Sequence, residues 1–169
     1  MKRLGIVIAA AALAGGAPAA AMVRGDDAPV AGRSADGPSG VHITPLSHAT
    51  LPSKVHADGA GIKITTNGPK DMLVTSITVD PGGSFGWHTH PGPVLVSVSS
   101  GTLSLDEPTR HGCSHADVTA GHGFIEGGGD VHLARNEGTT PVELNATFLA
   151  RTGTTEFLTT VPRPRRCHV

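Results

Sequence analysis

The sequence predicts an all-β domain, a sandwich or barrel of short strands. Three observations carry this expectation. Short runs that alternate apolar and polar residues, or that are rich in β-branched residues, recur at spacings of about 8–12 residues with turn formers between them. Glycine and proline number 23 and 13 in 169 residues, enough to punctuate many turns. Beyond residue 21 no stretch sustains the 3.6-residue apolar period of a helix. The length suits one ordinary domain rather than two.

The elements follow in order. Lys2 and Arg3 precede the apolar run Leu4–Leu13, which is too short to span a bilayer. Ala19-Ala20-Ala21 offers an Ala-x-Ala cleavage site, so residues 1–21 read as a secretory signal peptide. No cysteine lies near the site, which argues against a lipoprotein. Cleavage removes Lys2 and Arg3 and leaves 11 positive against 14 negative side chains, a net charge of −3. The expected location is secreted or periplasmic, with no stable membrane insertion after cleavage. Residues 22–40 are small, polar and broken by Gly and Pro, and read as a flexible linker.

Strands are expected over Gly61–Thr66, Met72–Val79, Val94–Val98, Thr102–Leu105, Gly123–Glu126 and Val142–Ala150. The second is expected to end at a turn, Asp80-Pro81-Gly82-Gly83. In the last, Val142, Leu144, Ala146, Phe148 and Ala150 share one face. The barrel is expected over 41–155, with a C-terminal tail over 156–169.

Composition excludes some functions. One Trp, four Phe and no Tyr leave little for stacking bases, and a net charge of −1 gives no basis for binding nucleic acid. No phosphate-binding or nucleophile-elbow motif is present. A small-molecule partner is the remaining expectation, and a homodimer is compatible with the sequence. Two cysteines, Cys113 and Cys167, have two readings in an exported protein. One is a disulfide that tethers the tail. The other is a pair of thiols, with Cys113 joining His111 and His115 on one strand face as a second metal site.

Ten histidines stand out in this chain. His88 and His90 alternate, so on a strand both rings share a face, and Val94 has the same parity. His132, after a Gly-rich turn, supplies a third imidazole. Three imidazoles with open positions are how a catalytic or ligand-exchanging metal site is built. Trp87 has the opposite parity and reads as a packing residue on the other face. His42, His48 and His56 show no ligand spacing, His122 near a turn reads as solvated, and Arg163, Arg165 and Arg166 read as a solvated end.

The glycines around these histidines matter as much. Gly82, His88, His90 and Gly101 match the pattern G-x5-H-x-H-x3-4-E-x6-G, and Gly121, Gly129, His132 and Asn136 match G-x5-P-x-G-x2-H-x3-N. In these residues the sequence resembles the cupin superfamily, of the small conserved-barrel (cupin 2) type, over about residues 60 to 150. The resemblance implies a jelly-roll barrel, or double-stranded β-helix, with a divalent metal (Fe, Mn, Zn or Ni) near its mouth. It departs from the family at Val94, where the metal-binding Glu would stand, and at Gly127, which replaces a Pro. Glu126 is the best substitute carboxylate. If Phe124 points inward Glu126 does too, and if Ile125 is the inward residue Glu126 faces solvent.

The expected site is therefore His88, His90, His132 and Glu126, with no catalytic residue assigned. Two functions follow. One is a metal-dependent enzyme, an oxygenase on a small organic substrate. The other is a non-catalytic cupin that binds a metal or small ligand.

Overall fold

The structure, a computed structural model, describes residues 37–169; the expected signal peptide and residues 22–36 of the expected linker lie outside them. The strands are β1 (Ser39–Leu51), β2 (His56–Gly59), β3 (Ile62–Thr65), β4 (Lys70–Thr89), β5 (Val94–Ser100), β6 (Thr102–Thr109), β7 (Gly112–Thr119), β8 (Gly123–Glu126), β9 (His132–Arg135), β10 (Val142–Arg151) and β11 (Thr159–Thr160). No helix occurs among the described residues, and so none long and apolar enough to cross a membrane.

Strand β4 organises the barrel. Its first half lies antiparallel between β1 and β10, with Val79 opposite both Val41 and Val142. Its second half pairs with β9 and β11, with His88 opposite both His132 and Thr160. One wall is therefore β1-β4-β10-β5-β8, and the other is β11-β4-β9-β6-β7. All nine strands form one nearly closed sheet.

The expected turn at Asp80–Gly83 is a correction. The chain does not reverse there but runs on within β4. It changes partners at this point, and the backbone bends to do so. Gly82 sits at φ +72, where a side chain would be strained. A Cβ on Gly83 would lie 2.7 Å from the Gly40 carbonyl oxygen, which leaves room for glycine alone. Asn136 holds the bend. Its N–H donates to the Gly83 carbonyl at 2.9 Å, and its own carbonyl accepts from Gly82 at 3.0 Å. The buried Asn136 side-chain amide also donates to the carbonyls of Val79 and Thr140 at 2.9 and 2.8 Å.

Residues 62–65 do form a strand, but it pairs only with β2 in a separate two-stranded sheet. Ile62 and Ile64 are exposed there and add nothing to the core. Strand β1 begins at Ser39, two residues inside the segment read as linker.

The core fills the space between the walls. Val94, Val96 and Val98 of β5 lie beside Val142, Leu144, Ala146 and Phe148 of the neighbouring β10 on one inner face, with Phe85, Leu103, Leu105 and Ala134 from the other wall, all buried. Burying each large aliphatic side chain stabilises the fold by about 1.5–3 kcal/mol. A second cluster lies on the opposite face of β4: Trp87, Leu133 and Cys167, with Cys113, Val131 and Val161 against them. The tail covers this face. The Val161 N–H donates to the Trp87 carbonyl at 2.8 Å, and Cys113 and Cys167 form a disulfide with Cα atoms 5.1 Å apart. The alternative second metal site is thereby excluded: Cys113 is bonded, and His115 Nδ1 lies 3.0 Å from Asp106 Oδ1.

Candidate metal centre

His88 is the penultimate residue of β4, and His90 follows one residue after the strand. Strand alternation puts both rings inside the barrel. His132 opens β9 and is the register partner of His88. The ring centroids are 4.1 Å apart for His88 and His132, 4.8 Å for His88 and His90, and 5.2 Å for His90 and His132. All three residues are buried, and each offers one ligand atom within 4.8 Å of the others. This cluster could hold a metal ion.

Each ring is anchored through its Nδ1. His88 Nδ1 lies 2.9 Å from the Gly86 carbonyl, His90 Nδ1 2.6 Å from the Phe157 carbonyl, and His132 Nδ1 3.1 Å from the Asp130 carbonyl. A carbonyl can only accept, so each Nδ1 carries the proton. In a neutral ring the Nε2 then bears the lone pair, and such anchoring is typical of metal-ligating histidines.

Glu126 ends β8 opposite Val94 of β5. The open question of its direction is resolved: Ile125 is 72% exposed and Glu126 only 9%. Its Oε1 lies 2.9 Å from His132 Nε2, and its Oε2 lies 3.3 Å from His90 Nε2. The His132 contact is not aligned as a hydrogen bond, and this buried Nε2 has no hydrogen-bond partner.

Burial holds His88 down to about 3, helped by the neighbouring His132. Burial also acts to lower His132, but the Glu126 carboxylate outweighs it and raises that imidazole. Burial would raise Glu126, yet His132 and His90 beside it hold it near 2. Three Nε2 lone pairs and one carboxylate thus converge. Acceptors facing acceptors repel. A proton on His132 relieves one contact, whereas a divalent cation satisfies the whole donor set. The residues present fit a metal.

Beside the centre lies a cavity of about 260 Å³ between the two walls. Phe148, Phe157, Leu144, Val96 and Phe124 are among its walls, with His88, His90 and Glu126 on its surface. Phe157 and Leu158 line it although they lie in the expected tail.

The cupin-domain family model Cupin_2 matches residues 75–148. The chain carries a cupin domain. No curated protein matches the sequence. Among solved structures, the chain is similar to a double-stranded β-helix domain protein from Klebsiella pneumoniae, at 18% identity over 70% of this chain and 85% of that one, TM-score 0.45. It is similar to the polyketide cyclase RemF from Streptomyces resistomycificus, at 14% identity over 77% of each chain, TM-score 0.48. It is also similar to oxalate decarboxylase from Bacillus subtilis, at 13% identity over 53% of this chain and 24% of that one, TM-score 0.47. Likeness at this level says nothing of activity.

In this cupin the position of the family carboxylate is taken by Val94, fully buried, and Glu126 reaches the histidines from the paired strand. A carboxylate at Val94 would meet the Glu126 charge at close quarters. Val94→Glu is therefore expected to tighten divalent-metal binding little or not at all, and to lower the unfolding midpoint. Calorimetric metal titration and thermal unfolding check this; markedly tighter binding would mean that the carboxylate position is vacant.

Sequence reasoning missed Phe157, whose carbonyl orients His90 from 67 residues away. No local pattern signals such a contact. The carbonyls of Gly86 and Asp130 each stand two residues before their histidine, a recurrence the sequence does display.

Proposed function

We propose that this protein is an exported cupin that holds one divalent metal ion on His88, His90, His132 and Glu126. At that ion it acts on a small organic molecule, as a metal-dependent oxygenase. The convergence of three carbonyl-anchored imidazoles and one carboxylate on a common point supports this reading most. When bound, the metal supplies Lewis acidity or, as Fe, Mn or Ni, a redox-active centre for chemistry with dioxygen.

The chain's own residues have distinct parts in this reading. The Gly86, Phe157 and Asp130 carbonyls hold the Nδ1 protons, so each Nε2 is the nitrogen turned to the ion. Glu126 supplies the only anionic donor and offsets one of the ion's two charges. The apolar walls lower the local polarity and strengthen charge interactions at the centre. The export assignment rests on the N-terminal segment alone. The apolar lining favours a second reading, a non-catalytic binding cupin, because the walls offer no further acid or base. Dioxygen uptake by the iron-loaded protein with an organic substrate separates the two.

Glu126→Gln keeps the shape and removes the charge. It is expected to weaken divalent-metal affinity by about 10–100-fold, the range for loss of a supporting group at a metal site. Unchanged affinity in a calorimetric titration would remove Glu126 from the donor set.

A further inference from the structure

We infer from the cavity that the ligand of this centre has one oxygen-donor head and an apolar body about the size of a ring with a short substituent. The head-group half rests on the metal reading above; the body half rests on the cavity alone. Among the described residues, no lysine, arginine, asparagine, glutamine or serine lines the cavity. Its polar side chains beyond His88, His90 and Glu126 are Thr75 and Thr155. Thr75 Oγ1 already donates to the Ala146 carbonyl at 3.3 Å. A sugar or a dicarboxylate would bury polar groups with nothing to bind them, each costing about tenfold or more in affinity.

Size follows from volume. An apolar cavity of about 150 Å³ takes benzene. The 260 Å³ here adds room for a few more heavy atoms. Aromatic and long aliphatic side chains, Phe85, Phe124, Phe148, Phe157 and Leu144 among them, offer that body close contact.

Charge fixes the head. Three neutral imidazoles, one carboxylate and a divalent ion sum to +1. One anionic oxygen group, a carboxylate, enolate or phenolate, neutralises the centre, and a second has no counter-charge on the walls.

The test uses calorimetric titration of metal-free and zinc-loaded protein with toluene, pentanoate and glutarate. Toluene is expected to bind both forms. Pentanoate is expected to bind the zinc form at least about tenfold more tightly than the metal-free form. It should also bind that form at least about tenfold more tightly than glutarate, which has the same chain length and one more carboxylate. Toluene binding to neither form, with zinc still bound, would overturn the apolar body alone. Toluene binding without any zinc uptake would overturn the metal centre and the head-group half with it. Glutarate binding as tightly as pentanoate would overturn the single-head assignment. Ala146→Leu and Val96→Phe each fill the cavity from a different strand and are expected to lower toluene affinity at least about tenfold, with zinc content reporting that the variant is folded. Unchanged toluene affinity in both would place that ligand elsewhere.

Discussion

Replacing His88 and His90 together by alanine will leave a folded barrel that carries no stoichiometric divalent metal. The change removes two of three converging imidazoles and leaves His132 with Glu126, too few donors for a four-ligand site. The fold is expected to survive. Much of the main hydrophobic core is carried by β5, β10 and the first half of β4, with Val79, Val94, Val98 and Leu144 buried there. His88 is itself held neutral at about 3 by burial, so its loss removes a buried polar ring rather than a stabilising charge. Elemental analysis of the purified variant, with circular dichroism as the folding control, measures this. Metal at the wild-type ratio in the variant would place the ion elsewhere.

Removing the disulfide is expected to have the largest effect on stability. Cys113 and Cys167 are 54 residues apart, and closing a loop of that size contributes about 4 kcal/mol in the chain-entropy model. The bridge also pins the tail over Trp87, which is fully buried beneath it with Leu133 and Cys167. The double variant Cys113→Ser, Cys167→Ser should therefore lose about 4 kcal/mol in denaturant unfolding, and Trp87 should become open to quenchers. A loss below about 1 kcal/mol would contradict the account. On the proposed export, mass spectrometry of the secreted form is expected to find a chain beginning near Met22 and two hydrogens light.

The parts of the fold that were legible in the sequence are those where local pattern and burial agree. In β10 every second residue is buried, so its period of two is visible without neighbours. The same holds for β5 as far as Val98, and Gly123–Glu126 was bounded correctly by its flanking glycines. The parts that were not legible depend on partners. The run Asp80-Pro81-Gly82-Gly83 carries every turn signal, yet the chain continues because β9 and β11 take over from β10 and β1. Strand β1 is exposed along most of its length on both faces, so it has no alternation to read. Strand β7 is an edge strand, likewise mostly exposed.

The site divides in the same way. The three histidines were legible because strand parity and the spacing of the glycines pointed to one face. The direction of Glu126 was not, since Gly123–Glu126 reads equally well with either face inward. Only the pairing of Glu126 with Val94, a residue already committed to the core, decides it. The cavity was half legible. Val94 and Val96 share the parity of His88 and His90 and give an apolar wall, but Phe157 and Leu158 reach it from beyond the expected end of the barrel.

The most direct test of the metal centre is a crystal structure of the metal-loaded protein with diffraction data collected on both sides of the metal's absorption edge. The account predicts one strong anomalous peak per chain, within bonding distance of Nε2 of His88, His90 and His132 and of a Glu126 carboxylate oxygen. A peak at any other group of residues, or none between these four in fully loaded protein, would contradict it.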